Sequence, residues 1–305
     1  MTLTIHKYNK DIVWVDLVSP TREEVTHIMD HYRVHPIVAE ELLINTRKPH
    51  IDPYAEHIYL VLHFPALKHS HSEQTVQEID FIIGKKFLIT TRYDSVDAID
   101  QFSRVLETGN ILHKNEDTHA GFLFYYLIKK LYHSLEDELD YIESALEDIE
   151  SHIFEGKEKE MIYEISLRGR DLTDFKKALG YHREVLESLE IAGQSFFDKS
   201  FVFYLHRILG EYKRINHQLT GEQIFFNEIR ETNNSLLTTK QNEVMKTLTI
   251  ISFMTLPLSL FVGIFGMNAS HMPIVDHQQG FWIIIAMLLA LIVILIGFFK
   301  KKKWL

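Results

Sequence analysis

Asn242, Met245, Thr249, Ser252, Leu256, Ser259 and Gly263 recur at alternating steps of three and four residues, the spacing that puts side chains on one face of an α-helix. Thr249, Ser252, Ser259 and Gly263 are small or weakly polar, which suits either close packing of helix on helix or the lining of a water-filled path. A second pattern is acidic: residues 136–160 hold eleven Asp and Glu against two Lys. Such a run is a solvated helix face in structural terms; in chemical terms it concentrates divalent cations. His27, His31 and His35 form a third pattern, spaced by four, which would align them on one helical face. Two histidines four apart can bind zinc, but Pro36 follows directly, no carboxylate ligand is fixed by the spacing, and a polar helix face accounts for them as well. Other chemistries are excluded. There is no cysteine, hence no disulfide, thiolate zinc site or cysteine nucleophile. Neither a G-x-x-x-x-G-K-[ST] phosphate loop nor a serine nucleophile elbow occurs, so an enzyme is not expected.

The elements that must position these residues follow from charge and hydropathy. The 305 residues carry a net charge of -10, from 32 Lys and Arg against 42 Asp and Glu. With Asp276 and the four lysines 300–303 set aside, that leaves -13 on residues 1–246. An acidic body argues against nucleic acid, whose phosphates need clustered Lys and Arg, and favours cations. Residues 247–265 and 281–299 are uncharged stretches of 19 residues, each about 28 Å long as a helix and so matched to a bilayer core. The lysines after the second stretch, and the absence of Lys and Arg from the loop 269–280, place both termini on the cytoplasmic side of a cell membrane. The first twenty residues lack the apolar run of a signal peptide.

Before the membrane segments, residues 12–18 and 57–64 read as strands, residues 78–83 and 86–91 as a hairpin, and Thr21 with Glu24 as a capping box opening a helix. An α/β domain over 1–114 results. A long-helix acidic hairpin is expected over 115–198 and a stalk helix over 199–246, running without a proline into a first transmembrane helix, 247–268. An external loop 269–280, a second transmembrane helix 281–299 and a basic tail 300–305 complete the α+β architecture. Phe201, Leu205, Ile208, Tyr212, Ile215 and Leu219 form a coiled-coil seam on the stalk. Self-association is the economical way to bury it, and a ring of subunits around a channel is one outcome.

Phe265-Gly266-Met267-Asn268 closes the first span, with a glycine that permits an inward turn of the main chain. Here the chain resembles the CorA family of magnesium channels, whose signature is Gly-Met-Asn at this place. The approach Asn242-Glu243-Val244-Met245-Lys246, the in-span Pro257, Met272-Pro273 and the terminal Lys300-Lys301-Lys302-Lys303-Trp304-Leu305 are similar, as are Trp14-Val15-Asp16-Leu17 and Arg47-Lys48-Pro49. The resemblance implies a homopentameric funnel whose first spans line a pore and whose second spans form an outer ring in the lipid bilayer. Gly266, Met267 and Asn268 would be the selectivity filter. Asn242, Met245, Leu248, Thr249, Ser252, Leu256 and Ser259 would line the path inward, with Met245, Leu248 and Leu256 as an apolar constriction. Mg²⁺ sheds water reluctantly, so such a filter would recognise the hydrated ion through its waters. Uptake would be passive, driven by about 4.6 kcal/mol per 100 mV for a divalent ion. Co²⁺ and Ni²⁺ are further expected cargo. The resemblance also implies a regulatory Mg²⁺ site between subunits, with Glu231 on the stalk and Asp94 or Asp97 in the amino-terminal domain. Two positions depart from the family: Phe265 stands where tyrosine is usual, and Ile274 replaces the acidic residue after Met-Pro. Alternatives are a zinc transporter on the same scaffold and a membrane-anchored sensor or enzyme.

Overall fold

Short runs of β-branched and aromatic residues between turn signals build one mixed sheet. The computed structural model describes residues 3–8, 11–46, 48–66, 76–108, 118–267, 274 and 278–302. Its strands are β1 (Leu3–Lys7), β2 (Val13–Val18), β3 (His50–Pro53), β4 (His57–Pro65), β5 (Val76–Gly84) and β6 (Phe87–Arg92), in the order β1-β2-β6-β5-β4-β3. Only β2 and β6 run parallel, with Asp16 opposite Thr90; the expected hairpin is β5–β6, joined across Lys85 and Lys86. The sequence reading named neither edge strand. β1 is half exposed and β3 ends in Pro53, both normal at an edge, where a weak pattern and a missing N–H do little harm.

One sheet face packs Val15, Tyr59, Val61, Ile82 and Ile89 against α1 (Arg22–Tyr32) and α2 (Pro36–Glu41). The capping box forms as expected: Thr21 accepts from the Glu24 amide, and the Glu24 carboxylate accepts from the Thr21 amide at 2.9 Å. The three histidines do not share a helix. His27 and His31 stack at 5.8 Å on α1, but Arg33 turns left-handed (φ 54°) and His35 caps α2, its ring accepting from the Ile37 amide. The other face meets α3 (Asp97–Thr108) and α4 (Gly121–Phe154), with Trp14 edge-on to Phe102 and Phe81 edge-on to Phe124. α5 (Met161–Leu179) and α6 (His182–Phe196) follow. The segment expected as a single hairpin thus carries three helices.

α7 runs without a break from Val202 to Phe265, 64 residues or about 96 Å; α8 spans Gly280–Lys301. The chain divides into two compact units, Met1–Arg230 and Glu231–Leu305. Within the first, the seam from Phe201 to Leu219 is at most 6% exposed. Its neighbours belong to the same chain: Phe122 and Tyr125 of α4 meet Phe201 and Tyr204, and His182 of α6 meets Tyr212. The heptad pattern therefore reports intramolecular packing over this stretch, where the expected burial of the seam by self-association does not occur. In the second unit, α7 and α8 are long and apolar enough to cross a membrane and nearly bare of cover. Phe253, Leu256, Leu260, Trp282, Val293 and Ile294 are all more than 60% exposed, an apolar surface that water does not tolerate and lipid does.

Candidate ion pathway

Apart from Thr249, the covered positions on the apolar part of α7 are Ile250, Met254, Pro257, Leu258, Phe261 and Phe265, confined to about 100° of helix arc at 3.6 residues per turn. On α8 they are Ile284, Leu288, Leu291, Ile292, Leu295 and Phe299. Both stripes lie on the two helices that make up this unit. The candidate stripe on α7 points the other way. Met245, Thr249, Ser252, Leu256, Ser259 and Gly263 centre roughly 170° around the helix from the middle of that covered arc. Asn242, Met245, Ser252, Leu256, Ser259 and Gly263 are exposed and Thr249 is half-buried. Leu248 is exposed too, but stands about 60° off the centre of the stripe, at its margin.

Local chemistry on this face is neutral. The Thr249 hydroxyl donates to the Met245 carbonyl at 2.7 Å, which satisfies its proton and leaves oxygen lone pairs for water. A side chain added at Gly263 would meet nothing within 4 Å. Pro257 sits inside the helix; lacking an N–H it frees a carbonyl one turn earlier, a defect that membrane helices accommodate.

At the end of α7, the Gly266 amide donates to the Val262 carbonyl at 2.9 Å, and Gly266 does not adopt the left-handed backbone that favours glycine. The expected glycine-dependent turn is therefore not at this residue. Met267 is exposed, and Asn268 and Asp276 lie outside the described residues.

The candidate regulatory carboxylates are placed as follows. Glu231 is exposed on α7. Asp94 and Asp97 flank the β6–α3 connection, Asp97 exposed in the first turn of α3 and Asp94 half-buried, accepting from the Ser95 amide at 2.7 Å. Asp94, not Asp97, lines a cavity of about 350 Å³ together with Thr46, His63, Glu78, Tyr93 and Lys177. Among the described residues, no three acidic or histidine side chains converge to hold a metal ion.

A buried network holds this connection. Thr90 donates to Asp16 at 2.6 Å and accepts from the Trp14 indole at 3.0 Å, while Arg92 reaches Asp16 at 2.9 Å and Asp100 of α3 at 2.6 Å. The Trp14-Val15-Asp16-Leu17 run thereby fixes where β6 hands over to α3. Sequence reading found the motif but missed Thr90, Arg92 and Asp100, whose partners lie up to 76 residues away. It also missed Asp80, which is fully buried beside Glu78. Burial first, then the neighbouring carboxylate, raises the Asp80 pKa well above the usual carboxylate range.

Residues 9–301 match the family model described as CorA-like Mg²⁺ transporter protein. The chain is 26% identical over 294 residues to a cobalt/magnesium transport protein CorA of Thermotoga maritima, covering 96% of this chain and 83% of that protein. The complete structure of the CorA magnesium transporter from Methanocaldococcus jannaschii superposes with a TM-score of 0.83 at 21% identity, covering 97% and 92% of the two chains. The ZntB cytoplasmic domain from Vibrio parahaemolyticus superposes at 0.63 and 15% identity, covering 79% and 99%.

Proposed function

The chain belongs to the CorA-like Mg²⁺ transporter family, and on that premise we propose that it is a passive, potential-driven channel for hydrated Mg²⁺, with Co²⁺ and Ni²⁺ as further cargo. Five copies surround an axis in the cell membrane, with α7 innermost, α8 outside and both termini cytoplasmic. The observation that carries this reading is the two-sidedness of α7. Its bulky Ile250, Met254, Leu258, Phe261 and Phe265 are covered, whereas on the opposite side Asn242, Met245, Ser252, Leu256, Ser259 and Gly263 are exposed among the described residues and only Thr249 is half-buried. An isolated helix pair gains nothing from that division; a ring of pairs places five such faces around water. The net charge of -13 on residues 1–246 supports cation attraction on the cytoplasmic side.

Gly266, Met267 and Asn268 form the filter, where amide and carbonyl dipoles hold the ion through its waters and release it again. Asn242, Met245, Leu248, Thr249, Ser252, Leu256 and Ser259 line the path, and Met245, Leu248 and Leu256 stop conduction by dewetting. Intracellular Mg²⁺ closes the channel by bridging Glu231 of one subunit to Asp94 of the next. Asp94 is preferred to Asp97 because it lines a cavity. No reaction is catalysed.

Mg²⁺ uptake into proteoliposomes under an imposed inside-negative potential tests the reading. Wild type takes up Mg²⁺ without ATP, and Asn268→Ala reduces uptake at least tenfold. Equal uptake by the variant would sink the filter assignment, and preferential uptake of Zn²⁺ would favour the zinc transporter.

A further inference from the structure

α4 and α7 run parallel through the first unit, and cross-helix polar pairs recur every four residues. Arg214 pairs with Glu136, and one turn on the Gln218 amide donates to Asp140 at 2.7 Å. At the next turn the ladder fails. Glu222 occupies the α7 position, and the groups that face it from α4 are Asp140, Glu143 and Glu147, at spacings of three and four on one helical face. Glu222 is only 7% exposed, and its Oε2 is buried without a hydrogen-bond partner. α5 packs on the same stretch of α7 through Gly169, against the Phe226 ring; its buried Arg168 is held by Asp171 at 2.5 Å and lies over the Tyr141 ring of α4, and the charges that act on Glu222 are all carboxylates. On α7 itself, Arg230 lies over the Phe226 ring.

A carboxylate buried against three others, with no cation paired to it among the described residues, is expensive. One added positive charge removes the conflict. We propose that Glu222 is a proton-binding site in the α4–α7 seam: with the proton bound the two helices stay packed, and without it four carboxylates drive them apart. The site acts on the helix that continues to the candidate stripe, so cytoplasmic protons stabilise the packed, non-conducting arrangement. The gating consequence rests on the channel reading; the proton site itself does not. In agreement with the geometry, burial and then the charges of Glu143, Asp140 and Glu147 raise the Glu222 pKa to about 7.

The experiment is thermal unfolding of the full-length protein in detergent with EDTA, from pH 5 to 9, for wild type and Glu222→Gln. The wild-type minus variant difference isolates this group from other titrations. A carboxyl whose folded pKa is raised binds its proton more tightly in the folded state, so the difference falls as pH rises from about 4.5 and levels off beyond about 7. Glu143→Gln, on the exposed face of α4, keeps the step and moves it toward acid. Identical pH profiles for wild type and Glu222→Gln overturn the proposal, and so does a step whose midpoint pH is the same in Glu143→Gln as in wild type. Proteoliposome uptake against internal pH then reads the coupling: wild type is inhibited by acid and Glu222→Gln is insensitive. A stability step without that inhibition separates the proton site from the channel mechanism and overturns only the coupling.

Discussion

His182 shows how one buried side chain sets a condition for the whole first unit. It is fully buried between Tyr132, whose hydroxyl lies 2.8 Å from Nδ1, and the His63 carbonyl, 2.7 Å from Nε2. The carbonyl can only accept, so Nε2 carries the proton and Nδ1 accepts from tyrosine. Burial lowers the imidazole pKa from 6.5 to about 4, and His57, also buried and with neither ring nitrogen hydrogen-bonded, is lowered likewise. The unfolded chain then binds more protons than the folded one between those values, so stability falls as pH drops from about 6.5 toward 4. The cost is on the order of 3 kcal/mol for a fully buried imidazole. Denaturant unfolding at pH 7.5 and 5 reads it, and replacing His182 by Gln should flatten the dependence in part, since His57 remains. Tyr132→Phe leaves Nδ1 without a donor and should cost about 1–3 kcal/mol at pH 7.5. An unchanged midpoint would mean that water replaces the hydroxyl.

At the level of elements, the division of α7 into a covered and an open face predicts different outcomes for its two sides. Leu256→Ser changes the open, 69% exposed face; it should leave assembly intact and raise uptake at high internal Mg²⁺, because a wetted constriction no longer closes. Phe261→Ser, on the covered face, should lower the yield of folded protein instead, by removing buried packing. Uptake and size-exclusion yield measured together separate the two, and equal effects from both would refute the division. How much could be read beforehand follows the same logic. Strands β2, β4, β5 and β6, the capping box and both apolar helices were legible because each is announced by its own residues. The seam from Phe201 to Leu219 was legible as covered but not as to what covers it, since periodicity reports burial and says nothing of the partner. Asp16, Arg92 and Asp100, and likewise Glu222 with Glu143, were not legible as sets. Their members are ordinary charged residues in sequence, and only the fold makes neighbours of them.

For the whole molecule, the proposed closure by cytoplasmic Mg²⁺ can act by general screening or by bridging defined carboxylates. In the proposed pentamer, five bodies of -13 each would repel one another, and any salt would weaken that repulsion, with a Debye length of about 8 Å at 0.15 M. Screening depends on ionic strength alone, whereas a bridge between Glu231 and a neighbour's Asp94 requires a divalent ion and both carboxylates. The two mechanisms part when Mg²⁺ is compared with NaCl at equal ionic strength. If bridging holds, millimolar Mg²⁺ should slow proteolysis of the purified assembly severalfold while matched NaCl does not, and Glu231→Ala should abolish the difference. Asp94→Ala should behave as Glu231→Ala does, and the double variant no worse than either, because both remove the same bridge. Additive effects would assign the two carboxylates to separate sites, and protection by NaCl equal to that by Mg²⁺ would leave screening as the mechanism.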